Sequence, residues 1–160
     1  MLKGQSGSVT SRVLVAGAAL LGLMIALPAW ASLGGDTASV EADQIHMQGT
    51  RQMIAAQNYT VHEIQGAGAV VREYVSSSGK VFAVAWHGPW PADLHQLLGS
   101  YSEQYMQAVK AQSRTRRGRR PLIVEQPGLV VHSGGHPREF GGMAYVPENM
   151  PQGVRAEDIR

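Results

Sequence analysis

The sequence predicts an α+β domain: an antiparallel β-sheet, made of a meander and a second hairpin, packed by one or two helices. Three runs rich in strand-forming residues, 59–64, 69–75 and 81–87, follow one another through short glycine-containing turns, the pattern of an antiparallel meander. Leu94, Leu97, Leu98, Tyr101, Tyr105 and Val109 then recur at three- and four-residue steps, the period of a helix that turns one stripe to the core. The chain has 160 residues and no cysteine, so one domain must hold itself together by its core without disulfides.

Residues 1–31 read as a secretory signal peptide. Lys3 and Arg12 give a basic start, residues 13–27 form an uncharged apolar run, and Pro28 ends it. Ala29-Trp30-Ala31 supplies the small-x-small pattern that signal peptidase cleaves. The apolar run falls short of the roughly 20 residues that span a bilayer. Cleavage after Ala31 is therefore expected, leaving residues 32–160 as a single exported domain with no membrane span, periplasmic or secreted. Removing 1–31 leaves 12 of the 14 basic residues against all 12 acidic ones. A chain that is neutral overall has no global field to draw it to nucleic acid or membrane.

After a loose lead-in, Asp36 or Thr37 can cap a helix, because their side-chain oxygens accept orphan backbone N–H groups. Val40, Met47 and Ile54 then carry a thin helical spacing over 37–55, interrupted at Gly49. Residues 59–64 alternate as a strand, 65–68 turn, 69–75 form the next strand, and Ser76-Ser77-Ser78-Gly79 turns the chain. Strand 81–87 has few charges on either side, as a central strand would. Strict alternation sets Phe82, Val84 and Trp86 on one face and Val81, Ala83, Ala85 and His87 on the other. Gly88-Pro89-Trp90-Pro91 is a corner, since two prolines forbid continued pairing. A helix is expected over 92–112, with Pro91 and Asp93 at its start. Residues 113–120 (SRTRRGRR) form a basic loop, 121–125 a short strand, and 129–132 with 140–146 a second hairpin turned at Ser133-Gly134-Gly135. Segments 68–86 and 128–146 align without gaps, each led by a helix; a duplicated α-β-β-β unit would explain the likeness.

The segments SLGGD, YTVHE, VVREYVSSSGKVFAVAWHGP, DLHQLLG, VVHSGGH and the closing DIR resemble an exported proteobacterial family, domain of unknown function 2844. The resemblance covers nearly all of residues 32–160 and is most specific in REYVS…GKVFAVAW. It implies a short secreted protein, with no catalytic residue or cofactor to carry over. The basic insertion at 113–120 lies outside the recognised part.

Candidate chemistry is sparse. His132 and His136 flank a glycine turn, and His87 and His95 flank the corner. Imidazoles ligate zinc or copper, but no HExxH or cysteine pair accompanies them. On a straight strand His132 and His136 would stand about 13 Å apart, so only a turn at Ser133–Gly135 could join them, with His87 or Glu139 completing a site. No cofactor and no tight metal is expected. Ser133 next to His132 would point to the opposite face, and no nucleophile elbow exists. Glu63 and Glu73 are expected to pair with Arg72 or with solvent. Arg114, Arg116, Arg117, Arg119 and Arg120 could bind an anionic surface component or acidic protein through guanidinium forks; no stacking aromatics accompany them, which argues against nucleic acid. The plain alternative is a solvated loop. Trp86, Trp90, Tyr101 and Tyr105 are expected to plug helix against sheet, whereas an exposed Trp90 would mark a partner-binding patch. The leading reading is a non-enzymatic, envelope-associated binding module. The alternative is a small hydrolase or metal-handling protein using His132 and His136.

Overall fold

A computed structural model describes residues 33–113 and 121–160. The signal peptide and cleavage site expected from the sequence, and the arginines at 114, 116, 117, 119 and 120, lie outside the described residues. Among the described residues, seven strands form one antiparallel sheet in the order β1-β2-β3-β4-β7-β6-β5. The strands are β1 (Thr50–Ala55), β2 (Tyr59–Gln65), β3 (Val70–Ser76), β4 (Val81–Gly88), β5 (Leu122–Gln126), β6 (Leu129–His136) and β7 (Glu139–Tyr145). The α+β class, the meander and the second hairpin are as the sequence predicts, and β4 is the middle strand. Among the described residues no helix is long and apolar enough to cross a membrane.

Helix α1 (Thr37–His46) starts at Asp36, whose carboxylate accepts from the Ala38 and Ser39 amides. It stops well before residue 55. Gln48 takes φ 48°, and a Cβ on Gly49 would meet the Gln65 carbonyl oxygen at 2.7 Å. Residues from Thr50 therefore leave as edge strand β1, paired along β2, and not as the rear half of a helix.

The helix expected over 92–112 is two pieces. Helix α2 (Leu94–Leu98) is capped by Asp93, which accepts from the His95 and Gln96 amides at 3.0 and 3.2 Å. Gly99 adopts φ 49°, a conformation costly for any residue with a Cβ. A 3₁₀ turn then leads into α3 (Ser102–Ser113). The break keeps the stripe in register: Leu97, Leu98 and Tyr105 are buried, and Leu94, Tyr101 and Val109 pack against them.

The helices cover one face of the sheet, where Val71, Val84, Trp86, Val124 and Val131 meet Val40, Leu98 and Tyr105. The opposite face is covered by the closing segment 147–160, whose Ile159 packs with Tyr74, Phe82, Ala83 and Ala85. Strict alternation fails once on β4. Tyr74 opposes Ala83 but Val75 opposes Val81, so Phe82 is an extra residue, a β-bulge. Phe82 consequently leaves the face of Val84 and Trp86 and enters the tail-side cluster, edge-on to Tyr59 with ring centroids 5.7 Å apart.

The sheet is a doubled unit. From its centre outward, β4-β3-β2 on one side matches β7-β6-β5 on the other; α3 precedes β5 directly, whereas the edge strand β1 comes between α1 and β2. The pairing Tyr59↔Ser76 of β2–β3 and Leu122↔Ser133 of β5–β6 have matching register under the alignment of 68–86 with 128–146. The two inner hairpins differ: β3–β4 turns through Ser77-Ser78-Gly79 and carries the bulge, whereas β6–β7 turns tightly from His136 to Glu139.

Candidate functional site

The second hairpin decides the fate of the histidines. Strand β6 stays paired with β7 through Ser133-Gly134-Gly135 to His136, with Gly135 at φ 135°, and the turn is made by Pro137 and Arg138 (φ 78°). The expected glycine turn is thus part of a paired strand. Proline fixes its own φ and suits the first corner of such a turn. His132 and His136 are therefore about 13 Å apart along the strand, and they line different clefts. His136 instead faces Glu139 at 3.1 Å, both largely exposed. Among the described residues no group of three histidine, cysteine or carboxylate side chains is placed to hold a metal.

The corner after β4 builds the clearest concavity. Two prolines stop the pairing of β4 beyond Gly88 and throw the chain across the end of the sheet. Trp86 is buried at 6 % exposure, as expected of a core plug, but Trp90 is 72 % exposed. Between the corner and the β6–β7 hairpin lies a cleft of about 560 Å³. Trp86 lines it with Pro91, Leu94, Leu122, Pro137 and Phe140, and Ser133 and His136 are its polar side chains. A second cleft of about 370 Å³ lies on the other side of the corner, between Met47, Gly66–Ala69 and Gln96. It shares Pro91 and Ala92 with the first and includes Trp90. The corner is thus a ridge between two largely apolar grooves.

The wall beside Trp86 is made of glycine. A Cβ on Gly142 would lie 2.5 Å from the indole Cζ2 and 2.3 Å from the His132 carbonyl oxygen. Trp86 is tucked against bare backbone and reaches both this cleft and one of about 490 Å³ on the tail side. That tail-side cleft is lined by Arg72, His87, His132, Met143 and Arg160 among others. Arg72 donates to Glu63 at 2.7 Å and to the Arg160 main-chain oxygen at 2.8 Å, and Tyr74 Oη donates to the same oxygen.

Beneath α1 and α2 the core holds a polar cluster that the sequence reading missed. Glu73 does not reach Arg72 or solvent; it is fully buried. It alternates with Val71 and Val75 toward the helices, directly opposite His62 in the β2–β3 register. Asp43 of α1, also buried, reaches toward it and accepts from Gln96 Nε2 at 2.6 Å. Among the described residues, the buried side-chain atoms without an ordinary partner all belong to Asp43, His62 and Glu73. Burial pushes the Glu73 carboxyl well above the usual carboxylate range, and the neighbouring Asp43 charge pushes it further. Burial also raises Asp43, opposed by the hydrogen bond from Gln96. Two carboxyl groups so placed are satisfied when they hold a proton between them, Glu73 donating to Asp43. Burial, and then Arg51, hold His62 below the ordinary imidazole range.

Comparison with known families adds one finding. A family model described as "Protein of unknown function (DUF2844)" matches residues 29–159. No curated protein and no solved structure matches the chain.

Proposed function

The chain belongs to the DUF2844 family, and from that premise we propose that it is an exported, non-enzymatic binding module, periplasmic or secreted, that takes an apolar portion of an envelope component into the cleft over Trp86. Residues 1–31 support export, by their basic start, apolar run and Ala29-Trp30-Ala31 end. The observation that carries the binding reading is the open cleft of about 560 Å³ walled by tryptophan, prolines, leucines and Phe140, beside a tryptophan left 72 % exposed. Its volume and apolar lining match small-molecule sites, where a few polar groups orient a mainly hydrophobic ligand. A rigid aromatic held out by Pro89 and Pro91 gives contact area at low entropic cost. The tail covers much of the far sheet face, which makes the corner the better binding surface. Arg116, Arg117, Arg119 and Arg120 would bind an anionic portion of the same component through guanidinium forks. The rival reading, a hydrolase or metal-handling protein built on His132 and His136, needs those side chains to converge, and β6 keeps them apart.

N-phenyl-1-naphthylamine, a neutral apolar fluorophore, provides the test. The protein starting at Ser32 should bind it saturably. Trp90→Ala and Phe140→Ala should each weaken binding about tenfold, the size typical of a truncated aromatic anchor. Met53→Ala, an exposed apolar residue on the distant edge strand β1, should leave it unchanged. Unsaturable binding, or equal affinity in all four proteins, would overturn the reading.

A further inference from the structure

The tail-side cleft brings together three neutral, metal-ligating side chains that lie far apart in sequence. His132 on β6 stands directly opposite Met143 on β7. His87 on β4 stands opposite Gly141, two residues from Met143 on the same strand, so both partners project to one face. Directly opposed residues in an antiparallel sheet carry Cβ atoms about 4.5–5.5 Å apart, so His132 and Met143 are immediate neighbours. The missing side chain at Gly141 lets His87 lean inward: its Nδ1 lies 3.5 Å from the point where a Gly141 Cβ would be. The imidazole thus lies over the bare backbone of β7, between its own strand and the other two residues. All three side chains line the same cavity of about 490 Å³.

We propose that His87, Met143 and His132 form a three-coordinate site for a soft monovalent ion, of the copper(I) or silver(I) class. A thioether is a poor ligand for zinc but selects copper(I), and imidazole suits copper as well. The charge balance bears only on which cation is tolerated. The three ligands are uncharged, and Arg72 and Arg160 also line the cleft. Glu63 offsets the Arg72 charge at 2.7 Å but does not itself line the cavity. With no carboxylate among the lining side chains, a +1 ion is repelled less than a +2 ion would be. His87 lies at the exposed rim and His132 and Met143 deeper, which gives the ion an entry side. This site is separate from the apolar cleft over Trp86 and does not depend on the binding proposed there.

The test is calorimetric titration of the full chain with silver(I) alone, a redox-inert probe, in chloride-free buffer. One ion per chain should bind at micromolar concentration or below. Met143→Leu, which conserves volume and should fold, is expected to weaken binding at least tenfold. His87→Gln and His132→Gln should do the same, and His136→Gln should not. In the wild type the ring signals of His87 and His132 should shift together on silver addition. Absence of a one-to-one site would overturn the proposal. So would a site indifferent to Met143→Leu, or one lost in His136→Gln. Binding of N-phenyl-1-naphthylamine should be the same in Met143→Leu, His87→Gln and His132→Gln, none of which lines the cleft over Trp86, so the two sites can fail independently.

Discussion

Replacing Glu73 by glutamine is expected to stabilise the protein at neutral pH by about 1–4 kcal/mol, the size of gain seen when a buried ion pair gives way to uncharged residues of similar volume. Glu73 is fully buried, and its carboxyl is raised well above the usual carboxylate range by burial and by Asp43. The folded protein therefore holds a proton that the unfolded chain releases near pH 4.5. Stability from this group is fully present below that value and is lost as pH rises toward the folded value. Two other groups act with the opposite sign. Glu63, lowered by hydrogen bonds from Gln65 and Arg72, contributes above its ordinary value and loses that contribution in acid. His62, lowered by burial, contributes above about pH 6.5 and loses it as pH falls. Subtracting the wild-type stability curve from the Glu73→Gln curve removes both. Urea unfolding from pH 4 to 8 should give a difference near zero at the acid end that grows steadily toward neutrality. Parallel curves would mean that Glu73 does not carry its proton into the folded state.

Trp86→Ala should cost about 3–5 kcal/mol, the usual loss for truncating a buried tryptophan. Against a total stability of about 5–15 kcal/mol, that leaves the fold barely populated. The indole is 6 % exposed, sits on the central strand, rests against Gly142 and lines the cleft together with Leu94 and Phe140. Trp86→Phe keeps an aromatic plug and should lose clearly less. Thermal and urea unfolding of the three proteins would measure the series. A loss below about 1 kcal/mol for the alanine variant would show that Trp86 is not the packed centre of this part of the sheet.

Much of the fold was legible because its signals are local. Strands 59–65, 70–76 and 81–88 announce themselves by alternation and by glycine turns, and the Leu94–Val109 stripe by its period. The likeness of 68–86 to 128–146 corresponds to the matching β2-β3-β4 and β5-β6-β7 runs, while β1 departs from the expected α-β-β-β order. What the sequence hid was long-range. Residues 50–55 have enough apolar spacing to imitate a helix, and their pairing with β2, next to the close approach of Gly49 to Gln65, makes them an edge strand. The Phe82 bulge has no sequence signature, so the faces of β4 were assigned with Phe82 on the wrong side. Gly134 and Gly135 can turn or extend equally well; pairing with β7 extends them, and Pro137-Arg138 takes the turn. Glu73 could have been found, since Val71, Glu73 and Val75 share a face in any straight strand. The partner that makes it interesting, Asp43, comes from a helix 30 residues earlier. Met143 next to His132, and His87 over Gly141, likewise exist only through strand order.

The binding claim rests on Trp86 and Trp90 bordering grooves that a ligand can fill. Trp30 precedes the expected cleavage site, so the protein starting at Ser32 carries two tryptophans. Labelled with 5-fluorotryptophan, it should give two fluorine resonances: a dispersed one from buried Trp86 and a solvent-like one from Trp90. On addition of N-phenyl-1-naphthylamine both should move and saturate with a common dissociation constant. A Trp90 signal that drifts without saturating while the Trp86 signal stays fixed would contradict the account.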